Sequence, residues 1–285
     1  TIRGARSAEL SLGAYTQQYK QAFFDDIKVL NIEPAEVYPA ATEHIPEMLT
    51  LIEKLFTAGY AYKADDNSVY FNISKFKDYG KLSHLDMSGM KPGARVNQDE
   101  YQKENAADFA LWKAWDEHDR DIYWNSPWGR GRPGWHIECS AMSMKYLGQS
   151  FDIHTGGIDN IFPHHEDEIA QSEAATGKQF VRYWLHCAHL IVEGKKMSKS
   201  LGNFYTLRDI LKRGFSGREI RYRLLSVHYR QILNFSFDTL ASARSAIQRI
   251  DEFSQQLNDI GTMKRDNASS QDWISPFLTA FGIAL

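Results

Sequence analysis

Apolar residues recur at helical spacing in the first sixty positions of the chain. From Tyr15 to Leu30 the aromatic and aliphatic side chains share one helical face, and Ser11 stands before them as an N-cap. Pro46 opens a second run of this kind, which stops at Gly59. The pattern predicts two amphipathic helices, one after Ser11 and one after Pro46.

The following residues alternate between polar and apolar positions, as strands do. Runs at 60–64 and 68–73 flank Asp65-Asp66-Asn67, which predicts a β-hairpin. Residues 74–107 are polar and turn-rich. They indicate an inserted module whose role is structural rather than chemical.

Strands and helices alternate from Trp135 onward, which favours a parallel α/β sheet. The chain after residue 206 is helical in its periodicity, and an apolar segment occupies 273–285. In chain order, the predicted elements are a helix over 136–147, a strand over 151–154 that ends in Thr155-Gly156-Gly157, a helix from Pro163, a strand over 183–192, and a helix over 237–257 capped by Ser236.

The composition excludes several classes of protein. Of 285 residues, 43% are hydrophobic and 13% aromatic, and the formal net charge is −3, so the chain has ample material for a core. No stretch approaches the roughly 18 consecutive apolar residues of a membrane span. Two cysteines, Cys139 and Cys187, cannot form a disulfide framework, so we expect a cytoplasmic protein.

Positive charge concentrates in one block. Residues 191–230 hold ten Lys or Arg residues against three acidic ones, although the whole chain is slightly acidic. A basic block in an acidic protein suggests a polyanionic ligand. The alternative is an ordinary solvated face.

Three residues form a candidate metal site. His164 and Glu168 are four residues apart, so on a helix an imidazole and a carboxylate would share one face. Cys139 lies upstream, and a thiolate in the set favours zinc. Three ligands with an open position are the catalytic pattern. The alternative is a His–Glu hydrogen bond on a solvated helix, with Cys139 as a small buried side chain.

Two further segments suit nucleotide binding. Gly156 and Gly157 stand at the carboxyl end of a predicted strand, where backbone can approach a ligand and Asp159 can grip ribose hydroxyls; a tight turn is the simpler alternative. The loop Lys196-Met197-Ser198-Lys199-Ser200 places two lysines among small hydroxyl residues. Such a loop can neutralise charge on a transferring phosphate.

The strings around these residues resemble the cysteinyl-tRNA synthetases, a family of class I aminoacyl-tRNA synthetases. The resemblance rests on KMSKS at 196–200 with the Leu-Gly-Asn-Phe that follows, on Gly-Arg-Pro-Gly-Trp-His-Ile-Glu-Cys at 131–139, and on Phe-Pro-His-His-Glu at 162–166. It runs from Thr1 to about Phe237 and is most specific over 127–206.

The resemblance implies a set of site residues. Cys139, His164 and Glu168 match three of the four ligands of the family's single zinc ion, which binds the thiolate of substrate cysteine directly. Trp135 and His154 match residues that line the amino-acid pocket. The positions that match the ATP site are Gly156, Gly157, Asp159, Lys196, Ser198 and Lys199, of which Lys196 and Lys199 would be catalytic.

It also implies a two-step reaction. Cysteine attacks the α-phosphate of ATP, which is used with Mg²⁺, to give cysteinyl-adenylate and pyrophosphate, and the cysteinyl group then passes to the 3′ end of tRNA(Cys). A thiolate completes a zinc shell, whereas a serine hydroxyl stays protonated and ligates poorly. The metal would therefore discriminate between the two amino acids. We expect a monomer that is not bound to a membrane.

The fold class implied is α/β: the second half of a Rossmann-like class I catalytic domain, with an inserted α+β module and a helical region after it. The expected parts are 1–40, helical part of the catalytic domain; 41–130, connective insertion module; 131–190, second half of the Rossmann-like domain; 191–240, KMSKS loop and tRNA-stem contact; and 241–285, start of a helical anticodon-binding region.

The family's fourth zinc ligand, an upstream cysteine, and its HIGH-type histidine motif do not occur in these residues. We therefore expect a fragment that does not activate cysteine by itself. Two other functions stay open. One is a related ATP-dependent ligase that joins cysteine to an amino sugar in thiol-cofactor synthesis, which Leu201-Gly202-Asn203-Phe204 disfavours. The other is an inactive RNA-binding fragment.

Overall fold

The structure is a computed structural model that describes residues 2–84, 108–265 and 279. The chain divides into two compact units, residues 37–187 and residues 1–36 with 188–285. The five-part division expected from the sequence stays a prediction.

An antiparallel sheet forms one half of the unit 37–187. Its strands are β1 (Ala61–Lys63), β2 (Val69–Phe71), β3 (Phe109–Ala114), β4 (Trp124–Ser126) and β5 (Gly129–Pro133), in the spatial order β1-β2-β3-β5-β4. Strands β1 and β2 are the predicted hairpin, with Tyr62 opposite Tyr70. Helix α3 (Ile45–Thr57) packs in the same core as this sheet.

The core of this unit confirms the helix predicted after Pro46. Met48, Ile52 and Leu55 are fully buried at helical spacing and belong to the same apolar cluster as Phe71. Burying each such side chain stabilises the fold by about 1.5–3 kcal/mol. The helix ends just before Gly59, whose φ of +78° lies in the left-handed region that glycine adopts easily.

The second half of this unit alternates helix and strand. Its elements are α4 (Trp135–Leu147), β6 (Phe151–Gly157), α5 (Glu166–Thr176) and β7 (Val181–Cys187). Strands β6 and β7 pair in parallel, with Phe151 opposite Val181 and Gly157 opposite Cys187. The predicted parallel pairing and the helix over 136–147 are confirmed.

One predicted boundary in this half is wrong. The strand expected to stop at His154 continues through Gly157, because β7 supplies partners for these residues; Thr155, for example, lies opposite Leu185. The helix expected to start near Pro163 is present: an irregular helical turn over Ile161–His165, kinked at Phe162 (φ −138°, ψ 126°), leads into α5 at Glu166.

The other unit is mainly helical. Its helices are α1 (Ile2–Ser7), α2 (Leu12–Val29), α6 (Leu207–Lys212), α7 (Gly217–Leu225) and α8 (Phe237–Arg265), and its short strands are β8 (Leu190–Val192), β9 (Lys195–Lys196) and β10 (Leu233–Phe235). The two predicted caps are confirmed, since the Ser11 hydroxyl accepts a hydrogen bond from the Ala14 amide and that of Ser236 from the Thr239 amide. The aromatic face of α2 is not buried, and Tyr19 and Phe23 are exposed.

The single strand predicted over 183–192 is two strands. β7 pairs with β6, whereas β8 pairs with β9 and β10, and the two strands belong to different units. The chain breaks between them because its backbone turns to other partners. The Ala188 amide donates to the Tyr229 carbonyl, and the His189 carbonyl accepts from the Leu233 amide.

Two sequence predictions fall outside the described residues in whole or in part. The polar module over 74–107 is described only as far as residue 84, and the apolar segment 273–285 is described only at residue 279. Among the helices that the structure describes, none has the length and apolar character needed to cross a membrane.

Candidate metal centre and cationic loop

The three predicted metal ligands come together in the unit 37–187. Cys139 lies on α4, His164 in the irregular turn and Glu168 in the first turn of α5. One ligand atom of each lies within 4.8 Å of the others. His164 and Glu168 are buried and Cys139 is half-buried, which removes the solvated-helix alternative for this pair.

The Glu168 carboxylate has the surroundings of a metal ligand. It is fully buried, its Oε1 lies 2.9 Å from Nε2 of His164, and its Oε2 lies 3.6 Å from Nε2 of His154. Neither oxygen makes a hydrogen bond of acceptable geometry with the described part of the chain. An unsatisfied buried carboxylate is costly, and a cation that takes up its lone pairs removes this cost.

The electrostatics around Cys139 also favour a cation at this group. Burial, and then the charges of Glu168 and Glu138, raise the pKa of the Cys139 thiol to about 12. Burial also raises the pKa of Glu138. Without a cation the thiol is therefore protonated at neutral pH. A divalent cation between these groups reverses the balance and favours the thiolate.

A second histidine fixes the orientation of His164. Nδ1 of His136 lies 2.8 Å from Nδ1 of His164, and Nε2 of His136 lies 3.3 Å from a carboxylate oxygen of Asp167. If His136 donates its Nε2 proton to Asp167, its Nδ1 accepts the Nδ1 proton of His164. His164 then turns an unprotonated Nε2 toward Glu168, as a metal ligand must.

The two predicted pocket residues lie beside this group. Trp135 stacks on His164 with ring centroids 4.3 Å apart and keeps more than half of its surface exposed. His154 is half-buried, and burial lowers its pKa, so it is mainly neutral at pH 7. An exposed indole thus stacks on His164, and a neutral imidazole faces Glu168.

Three further histidines belong to the site although the sequence did not predict them there: His136, His165 and His186. Nδ1 of His165 lies 2.8 Å from Nε2 of His186, and burial followed by neighbouring histidines lowers the pKa of His165 to about 3. His165 also joins His154 and Glu168 in a second group whose ligand atoms lie within 4.8 Å of one another. His136 could have been inferred from the sequence, because it stands three residues before Cys139 on a predicted helix. The strand pattern around His186 gave no such indication.

One of the two glycines at the end of β6 has a packing reason to be glycine. A Cβ on Gly156 would lie 2.5 Å from Cε1 of His165, a buried ring. A Cβ on Gly157 would lie 2.4 Å from Oδ1 of Asp159, but that side chain is exposed and can move away. Close packing therefore accounts for Gly156, and the contact of this segment with a nucleotide stays a prediction.

The cationic loop of residues 196–200 lies in the other unit. It follows the β8–β9 hairpin, in which Lys196 is opposite Ile191. The Asn203 side chain joins its two arms, because Oδ1 accepts from the Ser198 amide at 2.9 Å and Nδ2 donates to the Lys196 carbonyl at 3.2 Å. Lys196 and Lys199 are exposed, and within the described residues neither is paired with a carboxylate.

Much of the surrounding basic block has internal partners. Arg208 pairs with Asp26 at 3.1 Å, and Arg213 lies over the Phe237 ring at 4.2 Å. Further internal contacts are those of Arg218 with Asp251, Arg221 with the Leu30 and Asn31 carbonyls, and Arg223 with the Asn234 carbonyl. Half of the ten basic residues thus make contacts within the fold.

Comparison with known proteins identifies the family of this arrangement. The family model for the tRNA synthetases class I (C) catalytic domain matches residues 1–245. A protein of Protochlamydia amoebophila named cysteine--tRNA ligase is 55% identical over 269 residues, which cover 93% of this chain and 56% of that protein. One of the same name from Brachyspira hyodysenteriae is 58% identical over 262 residues, 91% of this chain and 55% of that protein. The chain spans about half the length of these relatives.

A solved structure shares the fold. The Mycobacterium tuberculosis methionyl-tRNA synthetase in complex with methionyl-adenylate superposes with a TM-score of 0.69 at 17% identity, covering 95% of this chain and 64% of that one. At this identity the likeness shows the fold alone. It confirms the α/β fold class of the class I catalytic domains.

Proposed function

We propose, from the premise that this chain belongs to the class I tRNA synthetase (C) catalytic-domain family, that the whole protein activates cysteine with ATP and transfers it to tRNA(Cys). The observation that carries the proposal is the buried group of Cys139, His164 and Glu168, where a thiol, an imidazole and an unsatisfied carboxylate converge. The name of the relatives, cysteine--tRNA ligase, supports the same substrate.

Zinc is the metal that this donor set fits best, because sulfur, nitrogen and oxygen ligands together are typical of it. We assign Cys139, His164 and Glu168 as its ligands. When bound there, zinc supplies a Lewis acid that prefers a thiolate to a neutral hydroxyl. Trp135 and His154 flank the place where the side chain of cysteine would lie, and their rings exclude water from one side of it.

We propose nucleotide contacts for the carboxyl end of β6 in the unit 37–187 and, separately, for the cationic loop of the other unit, as the family resemblance implies. Gly156 and Gly157 stand at the carboxyl end of β6, and Asp159 is exposed and able to accept from ribose hydroxyls. Lys196, Ser198 and Lys199 supply the phosphate contacts. The Asn203 clamp supports this role, since it holds the two arms of the loop at a fixed separation.

Activation is then a matter of position and charge. A carboxylate oxygen of cysteine bonds to the α-phosphorus of ATP, and the bond from that phosphorus to the pyrophosphate oxygen breaks. The ammonium groups of Lys199 and Lys196, with Mg²⁺ on the phosphates, offset the charge that builds up on the phosphoryl oxygens. In the transfer step a terminal ribose hydroxyl of tRNA attacks the carbonyl carbon, and AMP leaves.

The same proposal accounts for the rest of the basic block. Basic side chains beyond the internally paired arginines, such as Lys195 and Lys212, are exposed and suit contacts to tRNA phosphates. We propose that the protein works in the cytoplasm as a monomer.

The test is cysteine-dependent ATP–pyrophosphate exchange and aminoacylation of tRNA(Cys) by the full-length protein, with serine as the control amino acid. We expect both activities with cysteine and neither with serine. Exchange with cysteine but transfer only to an amino sugar would instead establish the related ligase. Salt-dependent RNA binding without exchange would leave a binding fragment and overturn the proposal.

A further inference from the structure

Three consecutive acidic residues open α5, and Glu166, Asp167 and Glu168 are all fully buried. Successive residues of a helix point about 100° apart, so each carboxylate meets a different part of the unit. Glu168 faces the metal group and Asp167 faces His136. The proposed function leaves Glu166 without a role.

Glu166 is held by residues 79–83, here called the 79–83 loop. Its Oε1 accepts a hydrogen bond from the Gly80 amide at 2.8 Å. Its Oε2 accepts from the Leu82 amide at 3.1 Å and from the amide and hydroxyl of Ser83, both at 2.9 Å. Backbone amides that converge in this way form an anion-binding nest, and four donors offset the cost of burying the charge.

The loop is shaped for this contact. Gly80 has a φ of +94°, in the region that favours glycine, which turns its amide toward Glu166. The Tyr79 hydroxyl donates to Asp167, so the same loop grips two neighbouring carboxylates of α5. The buried contacts of the loop therefore fall on the first turn of the helix, whereas farther along the helix the exposed Lys81 pairs with Glu173.

No side-chain cap sets the angle of the first residues of α5, because His165 before them has helical dihedrals and makes no capping hydrogen bond. The helix dipole favours acidic residues in the first turn but does not set the angle of that turn. Glu168 lies two residues beyond Glu166, about 200° around the axis. A rotation that releases Glu166 would carry Glu168 away from Cys139 and His164.

We infer that Glu166 is a positioning residue for the metal centre: through it the 79–83 loop sets the rotation of the first turn of α5 and so the place of the Glu168 carboxylate. The inference rests on the proposed function in that it gives the loop a part in choosing cysteine over serine. Residues that touch neither metal nor substrate then decide how well the ligands converge, and a displacement of about 1 Å is enough to matter.

The experiment compares Glu166→Gln with Glu173→Gln in the full-length protein loaded with Co²⁺ in place of zinc. Glu173 is a matched control, because it lies on the same helix and pairs with Lys81 of the same loop at 2.5 Å, but sits nearly two turns from Glu166, beyond the turn that carries Glu168. In Glu166→Gln an NH₂ group replaces one carboxylate oxygen and faces the N–H and O–H donors of the 79–83 loop. One acceptor for their hydrogen bonds is therefore lost. Visible absorption reports the cobalt geometry, and chelator competition reports its affinity.

We expect Glu166→Gln to alter the cobalt spectrum and to weaken metal binding about 10–100-fold, as loss of an outer support does, while Glu173→Gln leaves both unchanged. A lowered melting temperature with an unaltered spectrum and affinity would overturn the inference, and so would equal changes in both variants. If Glu166→Gln does not fold, Ser83→Ala decides, because it removes one donor and keeps three. A smaller shift in the same direction supports the inference, and no shift overturns it.

The two proposals can fail separately. Absence of cysteine-dependent exchange in the wild type would reject the proposed function, whereas the cobalt spectra of the variants would still test the loop. With exchange present, Glu166→Gln should raise the KM for cysteine and reduce its preference over serine, and the KM for ATP should not change.

Discussion

The buried centre of the unit 37–187 and the cationic loop of the other unit handle charge in opposite ways. The centre places three fully buried carboxylates side by side at the start of α5, and each faces its own set of partners. The loop leaves Lys196 and Lys199 in water, with the Asn203 amide as the contact that joins its two arms.

The difference concerns when each site is assembled. Buried charges are stable only if folding also provides their partners, so the centre takes its shape from the fold, before any substrate arrives. Exposed lysines carry no such cost, and their useful geometry depends on the phosphate that they bind. A centre that selects by shape and metal preference benefits from the first arrangement, and a site that must take up ATP and release pyrophosphate benefits from the second.

The largest expected effect comes from removing one ligand of the buried metal centre. Cys139→Ser removes its sulfur ligand, and in the full-length protein we expect zinc affinity to fall by more than the about 10–100-fold typical of losing an outer partner. The preference for cysteine over serine in ATP–pyrophosphate exchange should disappear with it. Metal analysis of the purified variant and exchange with each amino acid measure the two effects. A variant that keeps both its zinc and its preference contradicts the metal-recognition account.

A smaller effect is expected on the loop side. Lys199→Ala removes one exposed ammonium from the phosphate contacts, and we expect exchange to slow by about 10²–10³-fold. The melting temperature should stay the same, because the side chain is exposed. Lys195→Ala is the matched control, since Lys195 is an exposed lysine on the neighbouring strand. Equal losses in both variants would mean that the block acts by general charge rather than through Lys199.

The smallest expected effect concerns the stability of the helical unit and not its cationic loop. The Arg244 guanidinium, which donates to Glu219, and the Ser216 amide hold the pKa of Glu219 below its usual value near 4.5. This contribution to stability is present above that value and is lost as the pH falls through the lower folded-state pKa.

We therefore expect the melting temperature of Glu219→Gln to lie roughly a few degrees below that of the wild type at pH 7. The gap should close as the pH falls from about 5 to 3. Thermal unfolding followed by circular dichroism across this range measures it. A gap that stays constant over the whole range would show that the pair does not act through the Glu219 charge.

The sequence alone predicts those elements whose formation depends on one apolar face, one turn or one N-cap. The helix after Pro46, the hairpin around Asp65-Asp66-Asn67 and the cap at Ser236 depend on local spacing, and all three are present. The i, i+4 spacing of His164 and Glu168 likewise predicts their proximity, although the helix itself begins only at Glu166. Local rules succeed here because the partners are near in the chain.

Contacts between distant segments could not be predicted in this way. The break between β7 and β8 depends on Tyr229 and Leu233, some forty residues downstream. His186 belongs to the site through His165 on another element, and no local pattern marks it. The part of the insertion up to residue 84 was expected to be structural, and its contact with Glu166 depends on a fold that periodicity does not describe.

The run Glu166-Asp167-Glu168 has a consequence for the ways in which this gene can change. Each carboxylate serves a different partner only because of its angular position, so inserting or deleting one residue just before the run turns every member by about 100°. The 79–83 loop, His136 and the metal group would each receive a neighbour's side chain or none. A substitution in this stretch disturbs the contacts of one carboxylate, whereas a single-codon insertion or deletion changes the contacts of all three at once. Lineages should therefore vary in the length of the loops around α5 and keep the length from Pro163 to Glu168 constant.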